Sequence, residues 1–197
     1  MNAAGLAALL GAVLVFGAAG CAPASAPPPA PGPPPASAAP TSSPFPPRPT
    51  ELRLNGVDPC QLLTSADQDQ LDVKNVGQHN DADRFGSLDC LWANHGTPDI
   101  SWLARAIVKQ GADYALGNTA PVQVVQVGGF SAVQTSSPYH DANTQCILVI
   151  NVAQGQSLWV QFDNLQGDFP GINHQVACQQ ASKAAELMLR NLRGLTH

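Results

Sequence analysis

Charged residues are scarce in this sequence, and the basic residues form no cluster. Of its 197 residues, nine are Lys or Arg and 14 are Asp or Glu, so the formal net charge at pH 7 is −5. A protein that binds nucleic acid neutralises phosphate groups with a patch or stripe of Lys and Arg. Because the basic residues here are scattered along the chain, we expect no nucleic-acid partner.

The sequence also lacks the short motifs that carry metal-dependent or nucleophilic catalysis. Its histidines show no H-E-x-x-H spacing, and its cysteines form no C-x-x-C pair of the kind found in zinc sites. Gly129 begins a stretch resembling a G-x-S-x-G nucleophile elbow, but Val133 replaces the second glycine and a strand is predicted on both sides. We therefore expect no metal, no cofactor and no catalytic residues.

An acidic stretch in the first half of the folded region partly resembles a calcium-binding loop. Asp81, Asp83, Gly86 and Asp89 follow part of the EF-hand pattern, in which oxygen atoms converge on Ca²⁺ around a glycine turn. Trp92, however, occupies the twelfth position, which requires a bidentate glutamate. We interpret the stretch as a solvated acidic face.

The first 20 residues have the features of a targeting signal. Residues 3–19 contain only Ala, Gly, Leu, Val and Phe, and an apolar segment of this length is at the lower limit for spanning a bilayer. Small residues at positions 18–20 directly precede Cys21, an order that resembles the lipobox of bacterial lipoproteins. This predicts a signal peptide over residues 1–20 and a diacylated Cys21 that anchors the chain to the extracytoplasmic face of the cell membrane. An ordinary cleaved signal and an uncleaved anchor are the alternatives.

Residues 21–50 are predicted to form a tether between the lipidated cysteine and a folded domain. Thirteen of the 18 prolines fall between Pro23 and Pro49, and clustered prolines favour the extended polyproline II conformation. A proline-rich ligand for a groove-binding protein is the alternative. The remaining residues, 51–197, have ordinary globular composition and a length that suits one domain.

Helices are predicted at both ends of this domain. Asp58 followed by Pro59 is typical of a helix start, and a second short helix is expected to begin near Thr64. A long helix is predicted over residues 174–193, with Gly194 as its C-cap, because apolar residues recur there at spacings of three and four. Its apolar stripe consists of Ala177, Ala181, Ala184, Met188, Leu192 and Leu195.

Strands are predicted between the helices, where apolar and polar residues alternate. Gly128 and Gly129 separate two such runs and indicate a two-residue hairpin turn, since both can adopt positive φ. The sequence thus predicts an α+β domain: an antiparallel β-sheet with short N-terminal helices and a long C-terminal helix packed on it. The six predicted strands cover residues 88–93, 100–108, 122–127, 130–136, 146–152 and 158–163.

Four cysteines remain if Cys21 carries lipid, an even number that suits disulfides in an oxidising exterior compartment. Three pairings are possible. Sequential pairing, Cys60 with Cys90 and Cys146 with Cys178, is favoured because it ties each terminal helical segment to a sheet strand. Each bridge would close a loop of about 30 residues, a stabilisation of roughly 3–4 kcal/mol in the loop-entropy treatment.

The order of several short motifs resembles a known family. Residues 58–63 (DPCQLL) are followed by residues 90–92 (CLW), then by Cys146 opening a Val/Ile strand, and then by Cys178 early in an Ala-rich terminal helix. Together with the lipobox and the tether, this order resembles the actinobacterial lipoprotein family catalogued as domain of unknown function 3558. The resemblance implies an envelope lipoprotein of a high-GC Gram-positive bacterium, and it implies no reaction.

We expect a non-enzymatic binding or accessory module of the cell envelope, whose partner is an envelope protein, a lipid or a wall glycan. Trp92, Trp102 and Trp159 are candidates for a hydrophobic binding surface, although core packing is favoured for at least two, and Trp159 is the one expected to be exposed or under a helix. An envelope hydrolase with a site assembled from distant residues, such as Asp141 with His140, is one alternative. A purely structural, self-associating protein is another. An apolar tunnel between the sheet and the last helix would indicate lipid handling, whereas a closed core would indicate binding at the surface.

Overall fold

The computed structural model describes residues 43–75, 78–80, 87–118, 120–137, 144–167 and 169–196. The predicted signal peptide, Cys21 and the tether up to residue 42 lie outside these residues. So do most of the acidic stretch, at residues 81–86, and the pair His140 and Asp141. Within the described ranges, no helix is both long and apolar enough to cross a membrane.

Seven strands of the described chain form one antiparallel sheet. They are β1 (Gln78–Asn80), β2 (Asp89–His95), β3 (Asp99–Ile107), β4 (Gln123–Val127), β5 (Phe130–Thr135), β6 (Gln145–Ala153) and β7 (Gln156–Asn164). Their order across the sheet is β1-β2-β3-β7-β6-β5-β4. Six of these strands were predicted; the seventh, β1, is a three-residue polar strand at the edge. The predicted α+β class is confirmed.

Four helical segments accompany the sheet in the described residues. They are a 3-10 helix over Pro59–Leu62, α1 (Ser65–Gln70), a 3-10 helix over Ala112–Gly117, and α2 (His174–Leu195). The side chain of Asp58 accepts a hydrogen bond from the backbone N–H of Cys60 (2.8 Å), and Thr64 is the N-cap of α1. Both short helices therefore begin where their capping residues predicted.

The long helix α2 confirms the predicted apolar stripe but not its predicted end. Five of the six stripe residues are fully buried, whereas Leu195 is 44% exposed. Gly194 was expected to be the C-cap, and this expectation is wrong. The helix runs through Leu195 to a C-cap at Thr196, whose hydroxyl donates to the Leu192 carbonyl (3.1 Å). A side-chain donor at Thr196 thus does what a left-handed glycine would otherwise do.

The two faces of the sheet have separate cores. On the α2 face, Leu158, Val160 and Phe162 of β7 belong to the same buried cluster as the inner side of α2, as their alternation predicts. Trp92 and Trp102 are buried in that cluster at 0% and 1% exposure, so core packing is confirmed for both.

Trp159 faces the opposite side of the sheet and is only partly buried. It packs against a smaller cluster that includes Val133 and Val149 from the sheet and Ala112 and Ala115 from the second 3-10 helix. Trp159 was expected to be exposed or to lie under a helix. It lies under a short 3-10 helix.

The packed chain begins upstream of residue 51, the expected start of the domain. Phe45 is 7% exposed and belongs to the same small cluster as Trp159. Arg48 donates through Nη1 to the Asn151 side chain (2.8 Å), and the Leu52 N–H donates to the Val152 carbonyl (2.9 Å). Residues 45–52 thus run along the β6–β7 hairpin.

Two disulfides join helical segments to the sheet. Cys60 in the first 3-10 helix is bonded to Cys90 in β2, and Cys146 in β6 is bonded to Cys178 in α2. The Cα–Cα distances are 5.1 and 4.9 Å, within the usual range for disulfides. The structure therefore contains the sequential pairing that the sequence favoured.

Candidate functional site

The exposed side of α2 forms one wall of an open groove. Gln175, Gln179, Ser182 and Glu186 recur at helical spacing on the side opposite the buried stripe, and Gln134 of β5 stands across from them. We call this feature the α2 groove. Its volume is about 550 Å³, and its full lining is Gln134, His174, Gln175, Cys178, Gln179, Ser182, Lys183 and Glu186.

A second cavity of about 390 Å³ adjoins the α2 groove at its N-terminal end. Two of its lining residues, Gln134 and His174, also line the α2 groove, so the two cavities meet there. The other lining residues come from residues 121–123, which lead into β4, and from residues 135–136 at the end of β5. Val122 is 40% exposed and contributes a small apolar surface.

The side chains that line the α2 groove are mostly neutral. Amides and a hydroxyl offer groups that both donate and accept hydrogen bonds, and the stems of these side chains add apolar surface. The two charged residues of the lining, Lys183 and Glu186, are of opposite sign, and the Lys183 ammonium also donates to the Gln70 carbonyl at the end of α1 (2.6 Å). The arrangement suits a ligand that has both hydrogen-bonding and apolar surface and no large net charge.

His174 lies where the two cavities meet, and both of its ring nitrogens have neighbours. Nδ1 lies 3.2 Å from the Gln145 carbonyl oxygen, and Nε2 lies 3.6 Å from the Cys178 sulfur. A carbonyl only accepts hydrogen bonds, so this contact assigns the proton of the neutral ring to Nδ1. The disulfide between Cys146 and Cys178 therefore has an imidazole beside it at the wall of the groove.

The core beneath α2 is closed at its centre, and a cavity of about 260 Å³ lies at its edge beside Leu54, Val57 and Ala106. Phe130, Leu148, Leu158 and Met188 each have 0% exposure. A void large enough for a water-sized probe would leave accessible area on the side chains that line it, and these four have none. By the criterion set out from the sequence, a closed core indicates binding at the surface rather than in a tunnel.

The other candidate chemistries of the sequence have no assembled site in the part of the chain that is described. Ser131, the serine of the elbow-like stretch, is 4% exposed in β5 and accepts a hydrogen bond from Gln126 across the β4–β5 hairpin (3.0 Å). His95 contacts Asp99 (3.0 Å) across the turn that joins β2 to β3. Among the described residues, no group of three or more His, Cys, Asp or Glu side chains could hold a metal ion.

Sequence reasoning missed the α2 groove. The polar stripe on α2 is visible in the sequence, because it is the complement of the apolar stripe. The opposite wall is not, because Gln134 reaches the groove only through the pairing of β5 with β6 and the docking of α2 on the sheet.

Comparison with protein families accounts for most of the chain. The family described as "Protein of unknown function (DUF3558)" matches residues 16–191. The chain belongs to this family. The DUF3558 match starts within the apolar segment of residues 3–19, ends in α2 and includes all five cysteines. No curated protein and no solved structure gives a match.

Proposed function

We propose that this DUF3558 protein is a non-enzymatic, lipid-anchored binding module of the cell envelope that takes a polar ligand in the α2 groove. The observation that carries the proposal is the groove itself: an open, mostly neutral channel beside a closed core. Ligand pockets are usually concave sites with a few placed polar groups. The groove lies on the α2 face of the sheet, whereas Phe45, where the tether meets the domain, packs on the other face.

Two features support an extracytoplasmic location. The apolar leader and small residues before Cys21 have the order of a lipoprotein signal, and the family match extends over Cys21. The domain also holds two disulfides, which persist in oxidising compartments. We propose an actinobacterial envelope as the setting, with the proline-rich segment as the spacer that lifts the domain off the membrane.

Mass spectrometry of the membrane-extracted protein tests the anchor. We expect a mature N-terminus at Cys21 carrying acyl chains, because the cysteine follows the small residues at which cleavage occurs. A Cys21→Ala variant should lose the acyl mass and should no longer be recovered in the lipid-anchored fraction. An unmodified Met1, or a mature N-terminus other than acylated Cys21, would contradict the anchor without bearing on the groove.

We further propose that the ligand is a neutral wall glycan rather than a lipid. Sugar hydroxyls can exchange hydrogen bonds with the amides of Gln134, Gln175 and Gln179, and the exposed Val122 can contact the apolar face of a sugar ring. The backbone of an uncharged peptide has similar hydrogen-bonding groups and is the alternative that an experiment must separate.

Titration of the isotope-labelled protein with soluble wall-glycan fragments, followed by NMR, tests the groove. We expect amide shifts confined to the N-terminal half of α2, the end of β5 and residues 121–123, and at least a tenfold weaker affinity in Gln179→Trp, because the indole fills the groove. Gln166→Trp, at another exposed glutamine in the turn after β7, is the matched control and should bind normally. Shifts elsewhere, or equal affinity in both variants, would refute the site; shifts with uncharged peptides alone would reassign the ligand.

A further inference from the structure

The two disulfides differ in the side chain that lies beside them. The Cys178 sulfur is 3.6 Å from Nε2 of His174, a side chain that can become cationic. At the other bridge, the backbone N–H of Cys60 donates to the Asp58 carboxylate (2.8 Å). Positive charge beside a sulfur favours its thiolate. A cationic His174 would therefore stabilise the reduced form of Cys178.

The His174 ring is held in the orientation that a general base has beside a nucleophile. Its Nδ1–H donates to the backbone carbonyl of Gln145, which is the residue before Cys146. This contact directs Nε2 toward the Cys178 sulfur. A sulfur, an imidazole and a third group that fixes the ring form the arrangement that activates cysteine thiols. Positions 174 and 178 are one helical turn apart, so the first turn of α2 holds the contact.

The two sulfurs of this disulfide differ in burial. Cys178 lines the α2 groove and is 8% exposed, whereas Cys146 has 0% exposure. An incoming thiol would therefore meet Cys178 from the groove, and Cys146 is the partner that leaves. Burial alone does not separate this bridge from the other, because Cys60 is partly buried and Cys90 has 0% exposure. What singles out Cys146–Cys178 is the imidazole of His174 beside its sulfur.

We propose that the Cys146–Cys178 disulfide is a thiol–disulfide exchange site whose co-reactant is a dithiol, and that Cys60–Cys90 is a structural bridge. His174 stabilises the Cys178 thiolate of the reduced form. This activity goes beyond ligand binding and does not depend on which ligand the groove takes.

The exchange conserves atoms and electrons. One thiolate of the dithiol attacks the Cys178 sulfur; a mixed disulfide forms, the bond to Cys146 breaks, and Cys146 leaves as a thiolate that takes a proton from the medium. The second thiolate of the dithiol then attacks the reductant's own sulfur in the mixed disulfide. An intramolecular disulfide forms in the reductant and Cys178 leaves as a thiolate beside protonated His174. The dithiol is oxidised by two electrons and the protein disulfide is reduced by two.

Other charged groups near the site affect its pH dependence. Lys183 and Glu186 line the same groove on α2 and carry opposite charges. On the sheet side, the Asp163 carboxylate accepts a hydrogen bond from the Gln145 side chain (3.0 Å), whose backbone carbonyl contacts His174. Of these groups, His174 has the contact with the Cys178 sulfur (3.6 Å), so we assign the effect on reduced Cys178 to it.

Reduction of the folded full-length protein by dithiothreitol tests the proposal, with both disulfides quantified by alkylation and peptide mass spectrometry. We expect Cys146–Cys178 to be reduced about tenfold faster than Cys60–Cys90, the matched control within the same chain. His174→Gln, which retains a donor for the Gln145 carbonyl but cannot become cationic, should slow reduction of Cys146–Cys178 several-fold and leave Cys60–Cys90 unchanged.

A second measurement separates chemistry from folding. The alkylation rate of reduced Cys178 should show a pH midpoint that His174→Gln moves upward, and His174→Lys should restore fast reduction because it returns a positive charge. Equal reduction rates for the two disulfides, reduction only in denaturant, or an unchanged pH midpoint in His174→Gln would each overturn the proposal.

Discussion

Replacing Asp67 with alanine is expected to lower the free energy of unfolding by about 2–4 kcal/mol. The Asp67 carboxylate lies in α1 and is 2% exposed. It accepts hydrogen bonds from the backbone and hydroxyl of Thr64 (3.1 and 2.6 Å) and from the Asn191 amide in α2 (2.7 Å), and it forms an ion pair with Arg190. One carboxylate therefore caps α1 and joins it to α2, and its removal leaves several donors without an acceptor.

The matched control is Asp69→Ala in the same helix. Asp69 is exposed, so its loss changes the charge of α1 equally without removing a buried acceptor, and an effect below about 0.5 kcal/mol is expected. Arg190 is 57% exposed, and its removal should likewise cost little, because solvent screens that half of the ion pair. Urea unfolding followed by tryptophan fluorescence measures all three. Equal effects of the two aspartate variants would show that charge, not the buried network, matters at this position.

The same carboxylate predicts how stability depends on pH. Burial desolvates Asp67 and by itself raises its pKa, but hydrogen bonds from Thr64 and Asn191 and the charge of Arg190 outweigh this, so the pKa lies below its ordinary value of 3.8. A folded-state pKa below the unfolded one gives stability that is present above about pH 4 and is lost as the pH falls through the folded pKa. Asp67→Asn should therefore lose less stability than the native protein between about pH 4 and pH 2.

The alternation and spacing of apolar residues predicted most of this fold, because the burial of one face of a strand or helix determines most of its elements. The alternation of Leu158, Val160 and Phe162 with polar neighbours reflects a strand with one buried face, and it gave the right face. The stripe from Ala177 to Leu192 likewise placed α2 and its inner side correctly. With those elements placed, the pairing that ties each helical segment to a strand was favoured among three possible ones, and it is the one the structure contains.

The features that the sequence did not predict depend on contacts between segments distant in the chain, or on the surroundings of a residue in the folded protein. The three polar residues of β1 have no alternation and are a strand only because β2 offers them an edge. Phe45 stands among prolines that indicate a tether, yet it finds an apolar surface on the sheet. Gly194 follows basic residues as a helix-ending glycine does, but near an exposed end a glycine costs only about 1 kcal/mol, and the helix continues. The α2 groove combines such distant contacts, since its two walls come from β5 and α2.

Removing either disulfide by a Cys→Ala pair is expected to lower the free energy of unfolding by about 3–4 kcal/mol. The two sequence separations are 30 and 32 residues, so loop entropy alone predicts nearly equal losses. Alanine is the better replacement than serine because Cys90 and Cys146 are fully buried, and a serine hydroxyl there would need a new partner. Guanidinium unfolding of each double variant measures the loss.

The fold should survive removal of the Cys146–Cys178 disulfide. Without Cys146–Cys178, α2 retains its apolar stripe on the sheet and the Asp67 network at its other end, so the helix should stay docked and the fold should persist. Small domains have about 5–15 kcal/mol of stability, so removal of all four cysteines, a loss of about 6–8 kcal/mol, should unfold the domain near 37 °C. A disulfide can serve in exchange only if the protein survives its opening. Loss of the native circular dichroism spectrum in Cys146→Ala/Cys178→Ala alone would therefore show that this bridge, too, is structural.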